Sequence, residues 1–185
     1  MASRVKKPES TTLDDLVFAT AEQKLMRLLL LEPTTVFPLR QLANRLKGVR
    51  GVGGPEGLKQ MLHKLTAAGL VDWVDHDRAI RLRDDEGRVE NLKVLASVCE
   101  LETLRQSLEL ICPRAFLIGA RAEGRAATDS DYEIALVTDQ PEEAKRIARG
   151  HPLGKKIQIS ILDSDDYRDE IQRHSRYIIL WGSSL

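Results

Sequence analysis

Apolar residues over 13–31 recur at near-helical intervals: Leu13, Leu16, Val17, Leu25, Leu28, Leu29 and Leu31. Thr20, with Gln23 three residues on, has the form of a capping box at the start of the main helix there, and Pro33 stops that helix. Leu39, Leu42, Ala43 and Leu46 predict a short second helix over 39–46. The stretch 47–55, Lys-Gly-Val-Arg-Gly-Val-Gly-Gly-Pro, holds too much glycine to stay helical. Pro55 suits the first turn of a third helix, which runs through Leu58, Met61, Leu62 and Leu65 and ends on a capping glycine, Gly69. The period then shortens to two. Residues 70–74 and 79–83 predict strands joined by a polar turn at 75–78.

Asp84-Asp85-Glu86-Gly87 breaks this pattern and marks a boundary. From 88 to 111 the spacing predicts one long helix whose apolar residues, Val89, Leu92, Leu95, Cys99 and Leu104 among them, spread widely around it. So broad a surface implies a helix that packs on both domains, or one that pairs with a second copy. Pro113 ends it. Beyond it strands alternate with helices: strands at 115–119, 133–138, 157–162 and 177–181, helices at 142–149 and 165–174. The expected organisation is a flexible tail at 1–12, a first domain at 13–87, a connecting helix at 88–112 and a second domain at 113–185.

Composition changes this picture little. The chain has 185 residues, 42% hydrophobic and 30% charged, within the ordinary range for a soluble globular protein of one or two domains. Lys and Arg number 28, as do Asp and Glu, so any attraction to a polyanion has to be local. Cys99 and Cys112 fit no zinc spacing and read as small buried apolar residues in a reducing compartment. His63, His76, His151 and His174 show no ligand spacing. No stretch is long enough to span a membrane, and the first ten residues lack the apolar core of a secretion signal. A cytoplasmic setting is expected.

The most informative stretch is 116–137. An apolar run ends at Gly119, a polar loop follows, and Asp131 and Glu133 then lead into a second apolar run. In a strand, residues two apart share a face, so both carboxylates project from one side of the sheet, a way to hold a divalent metal beside a phosphate. Glycines allow close approach of backbone N–H groups to phosphate oxygens. With Gly119, Gly124, Ser130 and Asp131 in register, this stretch resembles the signature of the polymerase-β-like nucleotidyltransferases, in particular the minimal ones. The resemblance implies Mg²⁺ on Asp131 and Glu133, which are then the catalytic residues, and an NTP cradled by Gly119, Ala120, Arg121, Gly124 and Ser130. Four positions depart from the family pattern. Ala120 replaces a serine, Glu123 an arginine and Glu133 an aspartate. The strand that carries a third carboxylate in the family offers only Gln158 or Ser160, with Asp129 or Asp163 as substitutes from elsewhere.

In the first half, three helices followed by a hairpin is the order of a winged helix-turn-helix. The run 58–71, ending Ala-Ala-Gly-Leu-Val, resembles the recognition helix and strand entry of the MarR- and ArsR-like regulators. Between residues 40 and 64 the charges are Arg40, Arg45, Lys47, Arg50, Lys59 and Lys64 against Glu56 alone, a local basic surface of the kind that phosphate contact needs. The expected fold class is therefore α+β: an N-terminal winged helix-turn-helix, a long connecting helix and a C-terminal nucleotidyltransferase-fold domain with a mixed sheet. Three functions follow from these resemblances. One is a homodimeric regulator of duplex DNA whose second domain keeps the fold, has lost most or all of its catalysis, and either still binds a nucleotide or serves only to assemble the protein. Another is an active Mg²⁺-dependent enzyme moving NMP from an NTP to a protein, RNA or small molecule. The last is a component of a toxin–antitoxin type pair with a protein partner.

Overall fold

A computed structural model describes residues 11–163 and 167–182. The expected tail falls almost wholly on residues 1–10, outside the described residues, as do the first two residues of the helix expected at 165–174.

Two capping boxes, Thr12 with Asp15 and Thr20 with Gln23, start α1 (Leu13–Val17) and α2 (Ala21–Leu31). After β1 (Val36–Pro38) and α3 (Leu39–Arg45) comes α4 (Gly54–Ala67), with proline in its first turn. Its end is closed by Gly69 N–H to the Thr66 carbonyl and Leu70 N–H to the Leu65 carbonyl, the paired bonds of a Schellman cap. β2 (Val71–Val74) and β3 (Ala79–Leu82) complete an antiparallel sheet of order β1-β3-β2. β1 has no counterpart in the sequence pattern, because three residues give too little alternation to read. The core of this half is built on Leu25, Leu29, Phe37, Leu42, Leu58, Leu62, Val71 and Ile80.

The helix expected over 88–111 is two helices, α5 (Gly87–Glu100) and α6 (Glu102–Leu108). The break at Leu101 is where the buried surface changes sides. Val89, Ala96 and Cys99 of α5 belong to the first core, whereas Leu101, Leu104 and Leu108 belong to a second one. Packing on both halves thus accounts for most of the apolar breadth of 88–111 within one chain, while Leu95 and Leu110 stay exposed.

The second half contains β4 (Arg114–Ile118), α7 (Gly119–Glu123), β5 (Tyr132–Val137), α8 (Pro141–Gly150), β6 (Ile157–Leu162), α9 (Tyr167–Gln172) and β7 (Ile178–Trp181). Its sheet has the order β6-β5-β4-β7 and is mixed: β5 and β6 run parallel, and the other neighbours are antiparallel. The parallel pair needs a crossover, which α8 provides. Side chains alternate across the sheet. Leu117, Ile134 and Leu136 pack with α6 and α8, while Phe116, Ala135 and Val137 pack with Tyr167 and Ile171 of α9. Burial on both faces explains why β5 reads as a nearly continuous apolar run.

Several contacts join the halves, three of them at the loop after α7. Thr128 meets Thr34 and Thr35 through hydroxyl hydrogen bonds of 2.9 and 3.1 Å. Buried Lys93 of α5 pairs with Asp84 and donates to the Ala126 carbonyl at 3.3 Å. At Gly124 an added Cβ would lie 2.5 Å from the Glu90 carbonyl oxygen, so α7 ends directly against α5. Among the described residues no helix is long and apolar enough to cross a membrane.

Candidate functional site

At the end of β4 the chain turns through Gly119, at φ +68°, and enters α7. Ile118 is registered opposite Glu133 on β5, and Glu133 opposite Gln158 on β6. Registered neighbours share a face, so Glu133 and Gln158 point the same way. Asp131, two residues before Glu133, accepts a hydrogen bond from Gln158 Nε2 and therefore lies on that face too. The expected pair of acids is brought together beside the glycine corner.

Glu133 reaches into the corner itself. A Cβ built on Gly119 would lie 2.2 Å from Glu133 Oε1, so the carboxylate occupies the space that any larger residue at 119 would need. Glycine is required there twice over, by φ and by this contact. The consequence is chemical as well as steric: the place where a phosphate would meet the backbone already holds a negative charge.

The remaining nucleotide-contact candidates divide. Gly119 and partly exposed Ala120 stay at the corner. Arg121 turns the other way and is 3% exposed. Its Nε and one terminal nitrogen donate to the Ser130 carbonyl at 3.2 and 2.8 Å, and its guanidinium lies 3.8 Å over the Tyr132 ring. Ser130 is held in the same way, its Oγ accepting from Ala127 N–H at 2.9 Å. Gly124 caps α7 and packs on α5. These three residues build the loop and present nothing to the corner. Glu123 accepts from Arg125 and from the Ser175 hydroxyl.

Mg²⁺ would have Asp131 and Glu133 as its protein ligands. Among the described residues no three His, Cys, Asp or Glu side chains cluster to hold an ion. Asp163 follows the far end of β6, five residues from Gln158 and so roughly 16 Å along the strand. The third place is filled by an amide whose N–H is bonded to Asp131. Two carboxylates suit Mg²⁺ only when phosphate oxygens complete its shell, so the donor set fits a metal arriving with a triphosphate and not a resident ion.

The candidate DNA contacts are spread over α3, the glycine loop and α4. Arg40, Lys47 and Arg50 are not buried and have no ion pair among the described residues. Lys59 pairs with Glu56 at 3.4 Å and Lys64 with Glu22 at 3.1 Å. Arg45 is held back against the end of α2 by two bonds to Glu32, of 2.6 and 3.2 Å.

Comparison with known proteins adds little. No family model matches the chain, and no curated protein matches it. One solved structure from Sulfolobus solfataricus, of a protein whose description as a nucleotidyltransferase is itself provisional, is similar at 15% identity and a TM-score of 0.31. The match covers 50% of this chain and 83% of that one. A likeness of that size fixes neither fold family nor chemistry.

Two features escaped the sequence reading. Tyr132 donates its hydroxyl to Glu100 beneath Arg121, and burial together with the Glu100 charge holds its phenol well above the usual range. Nothing in the sequence pairs these residues. Lys93 was legible in principle, since it sits between Val89 and Ala96 on the apolar stripe of α5, where a charge demands a partner.

Proposed function

We propose that this chain is a duplex-DNA-binding protein of the regulator type. Its first half acts as a winged helix-turn-helix, and its second half keeps a nucleotidyltransferase-like corner that no longer transfers efficiently. The observation that carries the reading is the topology of the first half. From α2 onward the order is helix, strand, helix, helix, strand, strand, and with the sheet order β1-β3-β2 it leaves α4 displaying Lys59, Gln60, His63 and Lys64 outward. An exposed helix of this kind enters the major groove in helix-turn-helix proteins. The loop before it adds Lys47 and Arg50. The ion pairs of Lys59 and Lys64 are surface pairs worth little, and phosphates can replace their acids. The hairpin tip carries Asp75 and Asp77, so phosphate contact is assigned to α4 and its loop. Paired half-sites call for a homodimer, and exposed Leu95 and Leu110 mark apolar surface on α5 and just past α6 for that contact.

Fluorescence anisotropy with duplex DNA at several salt concentrations tests the reading. Binding should weaken steeply with salt. Lys59→Glu with Lys64→Glu should weaken it further and reduce the salt slope by about one for each phosphate that is no longer neutralised. Absence of duplex binding at low salt would remove the proposal.

Asp131 and Glu133 on one face beside Gly119 favour a second, weaker reading, in which the corner binds an NTP together with Mg²⁺. The Glu133 carboxylate in the corner makes that binding depend on the metal, because without it phosphate meets like charge. Transfer of NMP also needs charge neutralisation and a base for the acceptor. Glu123 in place of a cation and Gln158 in place of an acid argue against turnover.

A further inference from the structure

A cleft of about 590 Å³ opens between the two halves, within the size range of small-molecule sites. Tyr132 lines it, and side chains alternate along β5, so it lies across the sheet from Glu133 and is separate from the corner. Five cations and four carboxylates face it, and their pairing is uneven. Asp14 holds Arg27, Asp15 closes the Thr12 capping box, Glu32 holds Arg45, and Glu100 accepts the Tyr132 hydroxyl. Each carboxylate thus has a partner, but only Asp14 and Glu32 are paired with a cation. Lys24, Arg121 and Lys156 make no close ion pair among the described residues, although the Lys24 charge acts on Asp15. Lys156 donates to the Thr128 carbonyl, and Arg121 has only a carbonyl, a distant Ser97 hydroxyl and an aromatic face. A buried guanidinium bonded directly only to neutral groups is unfavourable, and an incoming anion offsets part of that cost. The walls beside the cations are aliphatic, with Leu28 and Leu31 from α2 and Leu153 from the second half.

We propose that this cleft binds a small organic phosphate, its phosphate set among Lys24, Arg121 and Lys156 and its less polar body against Leu28, Leu31 and Leu153. A phosphate presents three strong acceptor oxygens, enough for three separate cations. Because Lys24 and Leu28 come from one half and Lys156 and Leu153 from the other, the ligand bridges the halves.

Calorimetry without divalent metal tests this, using AMP as the organic phosphate and inorganic phosphate as the bare anion. AMP should bind wild type and Asp131→Asn equally, and inorganic phosphate should bind more weakly than AMP. Lys24→Ala with Lys156→Ala should weaken AMP by about tenfold or more, the effect of losing charge-assisted bonds, while its unaltered melting temperature confirms folding. No binding of either ligand at millimolar concentration overturns the site. So does AMP binding that survives the double substitution, or that disappears in Asp131→Asn. The measurement contains no DNA, so its outcome is independent of whether the chain binds a duplex.

Discussion

A carboxamide and a carboxylate share a shape and differ in charge and in donor capacity, and at residue 158 that difference decides what the corner can do. Gln158 stands opposite Glu133 and neutralises part of the field of Asp131 by donating to it. Exchanging its nitrogen for oxygen removes the donor and adds a third negative charge to the same face. Gln158→Glu should therefore lower stability in the absence of metal, through repulsion among three acids. It should also be stabilised by metal alone more strongly than the parent is. A ligand present at about 100 times its Kd raises stability by about 2.7 kcal/mol, which is easily read in a thermal melt with and without Mn²⁺. A variant whose melting temperature ignores Mn²⁺ would show that geometry, not the missing charge, keeps metal from this corner. Incubating the same variant with labelled NTP and Mn²⁺ asks whether transfer returns with the ion. Label transfer by the parent, abolished in Asp131→Asn, would count instead for the enzyme reading.

At the scale of elements, legibility follows how many residues share one environment. α4 and β6 are read correctly because each repeats its period, and α4 also carries Pro55 and Gly69 at its ends. β1 is too short to repeat anything, and α7 is a five-residue turn set by Gly119 rather than by a pattern. The break at Leu101 is invisible because both sides of it are equally apolar, and only the choice of core distinguishes them. At the site, the shared face of Asp131 and Glu133 follows from spacing alone. The inward turn of Arg121 does not, since motif register says nothing of side-chain direction. The connection from α8 into β6 shows how one element end responds to pH. His151 Nδ1 accepts the Leu153 N–H at 3.2 Å and Nε2 lies 2.8 Å from the Thr103 hydroxyl, an arrangement that needs the neutral ring. Burial lowers its pKa below the ordinary value of about 6.5. The unfolded chain then binds the proton more readily, so this contribution is complete above that value and is lost as pH falls below it. Urea midpoints should drop between about pH 7 and 5.5, and less so in His151→Gln. The lowered carboxyls of Asp15, Glu22, Glu142 and Glu143 titrate below this window. Equal slopes in parent and variant would place the dependence elsewhere.

On the scale of the whole molecule, two cores share one pair of helices, and Lys93 is the charge at their junction. It is 2% exposed, pairs with Asp84 at the end of β3 and reaches the Ala126 carbonyl in the loop after α7. Lys93→Met keeps the aliphatic stem and removes the ammonium. Asp84 is about a third exposed and can be rehydrated, so the cost should be near that of a lost charged hydrogen bond, about 1.5–3 kcal/mol, rather than that of an isolated buried charge. Its distribution is more informative than its size. Trp73 lies in β2 of the first half and Trp181 in β7 of the second, and they are the two tryptophans of the chain. Variants that keep one or the other therefore report on each half separately. With the joint intact the two reporters should share one urea midpoint, as a single cooperative unit does. With Lys93→Met the midpoints should separate, because each core retains its own packing while the link between them is weakened. Midpoints that fall together in the variant would mean that the shared helices α5 and α6, and not the lysine, couple the halves.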